Sequence, residues 1–304
     1  MRVLLGPTAS GKTSVAIPLA LQLGAEIVSV DSRQIFRGME IGSAAPSSED
    51  RARVPHHLVG EVDPAEGMSA GEFGRRAHRV FGDLEARGKT ALLVGGSGLY
   101  LRAVLGGLDE GLPRDLRVRE ALQERVAREG IAALHRELAA FDPETAARVA
   151  AGDTHRVTRA LEILAVTGEK PSALRHKGRL AERAAEIVVL DRNREDLRRR
   201  IRERVAAMVE GGLEGEVRAL LASGLDPALP VMRSVGYAET VRYLRGEIDR
   251  ATWIETIVVN TRRYAKRQRT WFRGMEGAKW VRIAADEAPE DTAQRVLQAF
   301  SKYN

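Results

Sequence analysis

The sequence predicts an α/β fold in which a parallel β-sheet is flanked by helices and interrupted by an inserted, all-helical domain. Short apolar runs typical of strands alternate with helical patterns near both ends of the chain. A glycine-rich loop joins the first strand to the first helix, and strand patterns stop between about residues 114 and 183. We therefore expect a core made of residues 1–112 and 185–304, with residues 113–184 inserted between its two parts.

The glycine-rich loop fills every fixed position of the phosphate-binding motif G-x-x-x-x-G-K-[ST]. A strand pattern at residues 3–5 precedes it and a helical pattern at residues 14–23 follows, as in the P-loop NTPase-like fold. The predicted phosphate-binding residues are Gly6, Pro7, Thr8, Ala9, Ser10, Gly11, Lys12 and Thr13. Glycines let backbone amides approach an anion at the start of a helix, Lys12 adds positive charge, and Thr13 is the expected Mg²⁺ ligand. A glycine-rich turn without a ligand is the alternative.

The composition points to a basic protein without disulfides. The 304 residues include 48 Lys and Arg against 42 Asp and Glu, which gives a net charge of +6 and favours a polyanionic partner. The absence of cysteine excludes disulfides and thiolate metal sites. The phosphate-binding motif begins five residues after Met1, which leaves no room for a signal peptide, and no apolar run of about 18 residues follows. We therefore expect a soluble, cytoplasmic protein.

A second strand pattern, at residues 26–30, ends at Asp31. Ligands of open parallel sheets bind at the carboxyl ends of the strands, so we expect Asp31 to share a crevice with Lys12. A carboxylate there can coordinate Mg²⁺ through water or act as a general base, and capping the next helix is the alternative. The strand at residues 90–94 runs into glycines rather than into the acidic residue that NTP-hydrolysing enzymes carry, which weakens an interpretation as an NTP hydrolase.

An ordered series of motifs resembles the tRNA dimethylallyltransferases. These motifs are GPTASGKT at 6–13, DSRQIFRGM at 31–39, IGSAAP at 41–46, VPHHL at 54–58, GGSGLY at 95–100, residues 156–162, VGY at 235–237, AKRQ at 265–268 and TW at 270–271. The resemblance implies transfer of a dimethylallyl group from dimethylallyl diphosphate to the exocyclic N6 amine of the adenosine 3′-adjacent to the anticodon in tRNA, with release of diphosphate. It also implies that the helical insertion grips the anticodon stem-loop.

The residues suit that reaction. The phosphate loop, Lys12 and Mg²⁺ on Thr13 would stabilise the departing diphosphate. The exocyclic amine of adenine is a weak nucleophile, so a carboxylate is needed to accept its proton, and Asp31 is the candidate. Six arginines lie between residues 194 and 204, and most are expected on a solvated helix face. One of them, Arg204 rather than Arg200, is expected to reach the diphosphate.

The residues expected to contact tRNA come from six regions. They are Asp31, Ser32, Arg33, Gln34, Ser97, Arg119, His155, Arg156, Val157, Thr158, Arg159, Arg233, Ser234, Val235, Gly236, Tyr237, Ala238, Lys266, Arg267, Gln268, Arg269, Thr270, Trp271, Phe272 and Arg273. Ser97 stands where the family usually has Thr and keeps the hydroxyl.

We expect the target adenosine to be flipped into a channel between the sheet domain and the insertion. The Gln34 amide can read the adenine edge, or serve the structure of its own loop. The glycines at 95–98 can admit a ligand, or serve a turn that needs positive φ. Arg156 and Arg159 suit phosphate or base contacts, or an ion pair with Glu162.

The spacing of basic residues within residues 252–273 predicts a basic helix. Arg262, Lys266, Arg269 and Arg273 are spaced four, three and four residues apart, which places a line of charge about 16 Å long on one face. The aromatic residues among them, Tyr264, Trp271 and Phe272, either stack on bases or anchor the helix to the core.

Other interpretations stay open at this stage. His56 and His57 suggest a metal, but adjacent residues point apart and a packed loop is favoured. A small-molecule kinase would use the phosphate loop for ATP, an adenylate isopentenyltransferase would take free nucleotide, and a noncatalytic RNA-binding protein would explain the basic helix alone. A monomer is the simplest assembly for a protein that encloses one stem-loop.

Overall fold

The computed structural model describes residues 1–106, 115–174 and 184–301. The chain forms two compact units, Met1–Leu105 together with Arg183–Asn304, and Gly106–Glu182. The boundary that the sequence predicts at residues 112–113 lies outside the described residues. No described helix combines the length and the apolar character that crossing a membrane requires.

The larger unit is built on a six-stranded sheet. Its strands are β1 (Arg2–Leu5), β2 (Ala25–Val30), β3 (His56–His57), β4 (Thr90–Gly95), β5 (Glu186–Arg192) and β6 (Lys279–Ile283). They lie in the order β3-β2-β4-β1-β5-β6, and every pair is parallel. Crossover connections of this kind are typical of α/β proteins, and the predicted fold class is confirmed.

The described helices, in chain order, surround this sheet or form the smaller unit. They are α1 (Lys12–Leu23), α2 (Glu40–Ser43), α3 (Ser48–Arg53), α4 (Ala70–Ala86), α5 (Gly98–Val104), α6 (Leu116–Glu129), α7 (Ile131–Phe141), α8 (Pro143–Arg148), α9 (Thr154–Thr167), α10 (Pro171–Leu174), α11 (Arg194–Glu210), α12 (Leu213–Ala222), α13 (Tyr237–Leu244), α14 (Arg250–Arg273) and α15 (Pro289–Ser301).

The register of the sheet brings three loops to one edge. Leu5, the last residue of β1, pairs with Gly95 of β4 and with Val189 of β5, and Val30 at the end of β2 pairs with Gly95 as well. The phosphate loop, the segment after β2 and the glycine loop after β4 therefore leave the sheet at the same level.

A buried apolar core holds this edge in place. Leu19 of α1 and Phe300 of α15 pack on the sheet residues Leu4, Ile27 and Val188, and all five are at most 2% exposed. Burial of a side chain of this size stabilises a fold by roughly 1.5–3 kcal/mol. Strand β1, which leads into the phosphate loop, is thus anchored in the buried core of the unit.

Some elements differ from the sequence-based expectations. His56 and His57, which we expected in a packed loop, form β3, and a strand of two residues is too short for a periodic signal. Helix α3 precedes it. Helix α13 was not expected either. In the smaller unit, Asp142 caps α8, which ends at Arg148, and Asp153 caps α9, which ends before Gly168.

The smaller unit comprises α6 to α10 and has a core of its own. Leu134, Leu138 and Val157 are fully buried in it. A polar residue, Glu162, is also 2% exposed, and its carboxylate is surrounded by donors from Asp115, Arg119 and Arg159. Burial of this charge is tolerated because it is paired and hydrogen-bonded.

Candidate functional site

The phosphate loop has the backbone that an anion cradle requires. Gly11 adopts φ +92° and occupies the N-cap of α1, where it has no side chain to bond the first amides of the helix. A Cβ at Gly6 would lie 2.5 Å from Ser10 Oγ and 3.3 Å from Leu190 O, so a larger residue there would displace the loop or the Ser10 side chain. The start of α1 opens onto a cleft of about 780 Å³ that Lys12 and Thr13 line. Its amides therefore present the positive end of the helix to the cleft.

Lys12 lies folded over its own loop. Its Nζ donates hydrogen bonds to the carbonyl oxygens of Gly6 (2.8 Å) and Pro7 (2.9 Å). Burial, reinforced by the Arg204 guanidinium and opposed by Asp31, lowers the pKa of Lys12 to about 7. An anion entering the cleft would favour the charged form of this lysine.

Asp31 lies in the same cleft, as the sequence predicts. Its Oδ1 accepts hydrogen bonds from the backbone N–H groups of Arg33 (2.8 Å) and Gln34 (3.4 Å), which fixes a turn rather than capping a helix. Among the described residues, Oδ2 of Asp31 accepts no hydrogen bond. The carboxylate is thus oriented through one oxygen while the other remains able to accept a proton.

Both candidate arginines of α11 line the cleft. Arg204 donates a 3.0 Å hydrogen bond from Nη2 to the carbonyl oxygen of Ser43, and burial lowers its pKa while Asp31 opposes that shift. Arg200 donates from Nε to the carbonyl oxygen of Ala9 in the phosphate loop (3.2 Å). Arg204 therefore lies on the side of Asp31, and Arg200 lies on the phosphate loop itself.

Gln34 is used within its own loop. Its Oε1 accepts a 2.8 Å hydrogen bond from the Ser29 hydroxyl, and its Nε2 donates to the carbonyl oxygen of Ala44 (3.1 Å). These contacts hold the segment after β2 against residue 44. One amide hydrogen and one lone pair remain, so base reading by Gln34 stays a prediction.

Gln268, which we expected to contact tRNA, is 6% exposed and connects two loops of the site. Its Oε1 accepts from the backbone N–H of Thr8 (2.8 Å), and its Nε2 donates to the carbonyl oxygen of Gly96 (2.9 Å). We revise the expectation for this side chain, because it is buried between the phosphate loop and the glycine loop and positions both.

The glycine loop after β4 is closely packed against protein. A Cβ at Gly95 would lie 2.0 Å from the carbonyl oxygen of Val30, one at Gly96 2.4 Å from Gln268, and one at Gly98 2.0 Å from the indole nitrogen of Trp271. None of these three glycines is among the described residues with positive φ. They are therefore required for close approach, and the expected positive-φ turn is wrong. Ser97 lies between them at the start of α5.

In the stretch at residues 233–238, some residues line the cleft and others are buried and hold neighbouring segments in place. Arg233, Ser234, Val235 and Gly236 line the cleft. Tyr237 is fully buried, and its single O–H lies within hydrogen-bond distance of two acceptors, Glu216 Oε1 (2.7 Å) and Met39 O (2.9 Å). Glu216 also accepts from the N–H groups of Ile41 and Gly42, so Tyr237 and Glu216 together hold the short helix α2 in place. We no longer expect the Tyr237 side chain to contact tRNA, and Ala238 follows it in α13.

Helix α14 presents an exposed basic and aromatic surface beside the cleft. Lys266, Arg267, Thr270 and Arg273 are exposed, and Trp271 is 39% exposed. Arg269 pairs with Asp191 at 3.0 Å, and Arg262 is half-buried. Phe272 is fully buried, so it anchors the helix and we revise the expectation that it contacts tRNA.

In the smaller unit the predicted tRNA-binding residues have mixed environments. Arg159 pairs with Glu162 at 2.9 Å and Arg119 pairs with it at 3.0 Å, which bears out the ion-pair interpretation for Arg159. His155 and Arg156 are exposed, and Thr158 lies half-buried beside them. Val157 is fully buried in the core of the unit, and direct tRNA contact by its side chain is no longer expected.

Apolar side chains form part of the wall of the cleft, and only Tyr264 among them was considered from the sequence. Met208, Ile257 and Tyr264 line it, from the cleft-facing sides of α11 and α14. Burial, aided by the charge of Asp31, raises the pKa of Tyr264 to about 12, so its phenol stays neutral. The signal that could have found Met208 and Ile257 is the apolar face of the two basic helices α11 and α14.

The donors available to a metal ion suit Mg²⁺ rather than a transition metal. The cleft offers the Thr13 hydroxyl and the Asp31 carboxylate, and no cluster of three or more His, Asp or Glu occurs within residues 1–106, 115–174 and 184–301. Mg²⁺ uses one or two protein oxygens and completes its shell with substrate phosphates and water. His56 and His57 bond instead to Val54 O and to the buried Glu26, so both are held by packing and hydrogen bonds as expected, but in strand β3 rather than in a loop.

Comparisons with known proteins agree on one family. The family model described as IPP transferase matches residues 34–275. A tRNA dimethylallyltransferase from Anaeromyxobacter dehalogenans (strain 2CP-C) is 46% identical over 300 residues, which are 97% of this chain and 99% of the relative. One from Geobacter metallireducens is 44% identical over 281 residues, with 92% and 91% covered.

Solved structures give the same answer. The full-length tRNA isopentenylpyrophosphate transferase from Bacillus halodurans is 34% identical, with a TM-score of 0.71 and 99% of this chain and 96% of that chain covered. A eukaryotic dimethylallyltransferase acting on tRNA superposes with a TM-score of 0.83 at 25% identity, covering 98% of this chain and 77% of that chain.

Proposed function

The chain belongs to the IPP transferase family, and from that premise we propose that it is a tRNA dimethylallyltransferase. The reaction moves a dimethylallyl group from dimethylallyl diphosphate to the exocyclic N6 amine of the adenosine 3′-adjacent to the anticodon and releases diphosphate. The relatives that carry this name are about 45% identical over nearly their whole length, and a structure of a eukaryotic enzyme acting on tRNA supports the same substrate.

One observation carries the proposal at the level of chemistry. A single cleft holds an anion cradle, apolar side chains and an oriented carboxylate, represented by Lys12, Ile257 and Asp31. These are the three surfaces that a prenyl diphosphate and an amine nucleophile need. A kinase would also need the first and the third, and the relationship to the tRNA dimethylallyltransferases favours the prenyl group as the occupant of the apolar wall.

The diphosphate is held by the backbone of the phosphate loop. Lys12 exchanges its bonds to Gly6 and Pro7 for bonds to phosphate oxygens, and Arg204 supplies a second cation on the side of Asp31. Mg²⁺ held by the Thr13 hydroxyl, with Asp31 within its water shell, would neutralise charge that develops on the leaving group. Charge stabilisation of this kind is the largest contribution that the protein makes to departure of the diphosphate.

The transfer balances as a substitution at carbon. The bond between C1 of the dimethylallyl group and the bridging oxygen breaks, and its electron pair stays with diphosphate. The N6 lone pair forms the new C–N bond, and a proton leaves the nitrogen for Oδ2 of Asp31. The bonds from Arg33 and Gln34 to Oδ1 keep the carboxylate in place for this step.

The exposed cations of α14 favour tRNA over free nucleotide as the acceptor. Lys266, Arg267 and Arg273 lie on the surface, where they suit the phosphates of a polynucleotide. We propose that the exposed predicted residues of the smaller unit, His155 and Arg156, take part as well. The protein would act as a monomer in the cytoplasm, where its substrate tRNA is found.

Transfer of label from dimethylallyl diphosphate tests the proposal. The protein is incubated with Mg²⁺, labelled donor and either unmodified tRNA or AMP. We expect label in tRNA, at the adenosine next to the anticodon, and none in AMP. Transfer to AMP alone would identify an adenylate isopentenyltransferase, and phosphorylation of a small molecule from ATP without prenyl transfer would identify a kinase.

A further inference from the structure

A second cavity, lined entirely by charged and polar residues, lies behind the phosphate loop. Its volume is about 480 Å³, and it forms where β5 ends, α11 begins, and β6 and α14 pass. Its cationic residues are Arg192 of β5, Arg194 and Arg198 of α11, Arg269 of α14 and Arg282 of β6. Asp191 and Glu195 provide the negative charge. We call this cluster the arginine pocket.

Three of its arginines have no ion-pair partner in the part of the chain that the structure describes. The other exposed arginines at the start of α11 are paired, Arg199 with Asp196 and Glu203, and Arg202 with Glu255. Arg194 and Arg198 lie four residues apart on one face of α11 and are exposed. Arg282 is the parallel-register neighbour of Asp191 and points away from the buried residues on either side of it.

The pocket is joined to the phosphate loop and to the basic face of α14. Arg192, at the end of β5, is 5% exposed and donates from Nε to the carbonyl oxygen of Ser10 (2.9 Å). Arg269 enters the pocket through its 3.0 Å pair with Asp191, and it continues the line of Lys266 and Arg273. The exposed cations of α14 therefore continue into the pocket at the carboxyl edge of the sheet.

From this arrangement we propose that the arginine pocket binds a backbone phosphate of the substrate tRNA, outside the cleft that holds the reacting groups. The inference rests on the proposed function, since it takes tRNA as the polyanion. The lining contains no apolar or aromatic residue that would hold a base or a prenyl group, so a phosphate without its base is the group that fits. Arginine recognises phosphate through paired N–H donors, and such contacts position a nucleic acid without reading its sequence.

The test removes the three unpaired arginines together and measures tRNA binding directly. In R194Q/R198Q/R282Q we expect the Kd for unmodified tRNA to rise about tenfold, and the slope of log Kd against log salt concentration to fall by about 0.7–0.9, which is the contribution of one phosphate contact. The KM for dimethylallyl diphosphate is expected to stay the same, since none of the three residues lines the cleft.

Two matched variants control for charge and folding. R75Q/R79Q/R218Q removes three exposed arginines that already pair with carboxylates, so the net charge falls equally while tRNA affinity changes less than about twofold. R194K/R198K/R282K keeps the charge and is expected to recover most of the affinity. Thermal unfolding of all variants shows whether the fold is retained.

The outcomes separate this site from the proposed function. If R194Q/R198Q/R282Q binds tRNA with the wild-type Kd and salt slope, the proposed phosphate site is wrong. An equal loss of tRNA affinity in R75Q/R79Q/R218Q would also contradict it. The proposal would also be contradicted if inorganic phosphate displaced dimethylallyl diphosphate from the protein but did not weaken tRNA binding. Failure of the wild-type protein to transfer label to tRNA would overturn the proposed function instead, and failure to bind tRNA at all would overturn both.

Discussion

The side-chain oxygen of Gln268 accepts a 2.8 Å hydrogen bond from the backbone N–H of Thr8, which places a residue of α14 inside the phosphate loop. The nitrogen of the same amide donates to Gly96. The helix that carries the exposed cations is thus tied through one side chain to the loop that holds the diphosphate and to the loop after β4.

Replacement of Gln268 tests this connection. Gln268→Ala leaves the Thr8 N–H and the Gly96 carbonyl without their partner, and we expect a loss of about 1–3 kcal/mol in the free energy of unfolding and a raised KM for dimethylallyl diphosphate. Chemical denaturation and steady-state kinetics measure the two effects. Gln298→Ala, at an exposed position of α15, is the control and is expected to change neither. If Gln268→Ala has the stability and the KM of the wild type, the hydrogen bonds of Gln268 to the two loops are not required.

Asp31→Asn separates proton transfer from loop structure. Asparagine still accepts the backbone bonds from Arg33 and Gln34 through its oxygen, so the turn should persist, but it cannot take the proton of the amine. We expect kcat to fall about 10²- to 10⁴-fold with little change in the Kd for tRNA. Asp249→Asn, at the N-cap of α14, is the matched control with normal kcat. A kcat near that of the wild type in Asp31→Asn would remove this residue from the role of base.

The lowered pKa of Lys12 predicts that binding of dimethylallyl diphosphate depends on pH. Its pKa in the free protein is lowered to about 7, so above that pH the ammonium is lost and attraction for diphosphate weakens. We expect kcat/KM for dimethylallyl diphosphate to fall above pH 7, and binding near pH 8 to take up about one proton as the anion raises the pKa again. Calorimetry in buffers of different ionisation enthalpy measures this uptake. Lys12→Met should abolish it and Lys89→Met, at an exposed position, should not. Binding without proton uptake by the wild type would contradict the assignment.

The same shift has a consequence for the unliganded protein. The folded-state pKa of Lys12 lies below the value of 10.5 for an unperturbed lysine, so between these values the unfolded chain binds more protons. The contribution of this group to the free energy of unfolding therefore rises as the pH increases from about 7 to 10.5. Comparison of unfolding curves for the wild type and Lys12→Met across that range isolates the effect.

The contact between Gly98 and Trp271 predicts a steric penalty. A methyl group at Gly98 would lie 2.0 Å from the indole nitrogen, so Gly98→Ala must displace Trp271 or the start of α5. We expect destabilisation by about 1–3 kcal/mol and weaker tRNA binding. Gly82→Ala in α4 is the control, since a Cβ there meets no atom within 4 Å and alanine favours a helix. Equal stability of the two alanine variants would show that the packing at Gly98 is not required.

The sequence predicted the elements that depend on neighbouring residues. The parallel sheet, the phosphate loop between β1 and α1, the position of Asp31 and the basic helix α14 all follow from local periodicity and from the rule that ligands bind at the carboxyl ends of strands. Buried residues such as Phe272 and Val157 were expected to contact tRNA, because motif spacing does not distinguish the exposed face of a helix from its packed face.

The sequence could not predict the contacts that join distant parts of the chain. Gln268 is 260 residues from Thr8, and Glu216 is 175 residues from Ile41. No local pattern links such pairs, since their contact depends on how α12 and α14 pack in the larger unit. The same reason explains why the second cavity was not expected, because Arg282 and Arg194 come together only through the pairing of β5 with β6.

The most direct test of the central claim counts the products of one reaction. Wild-type protein is mixed with Mg²⁺, dimethylallyl diphosphate and unmodified tRNA, without any nucleoside triphosphate, and both released diphosphate and prenylated adenosine are quantified. We predict one diphosphate for each N6-dimethylallyladenosine, formed only next to the anticodon and lost together in Lys12→Met. A requirement for ATP, or release of its γ-phosphate in place of prenyl transfer, would contradict the assignment of the cradle to a departing diphosphate.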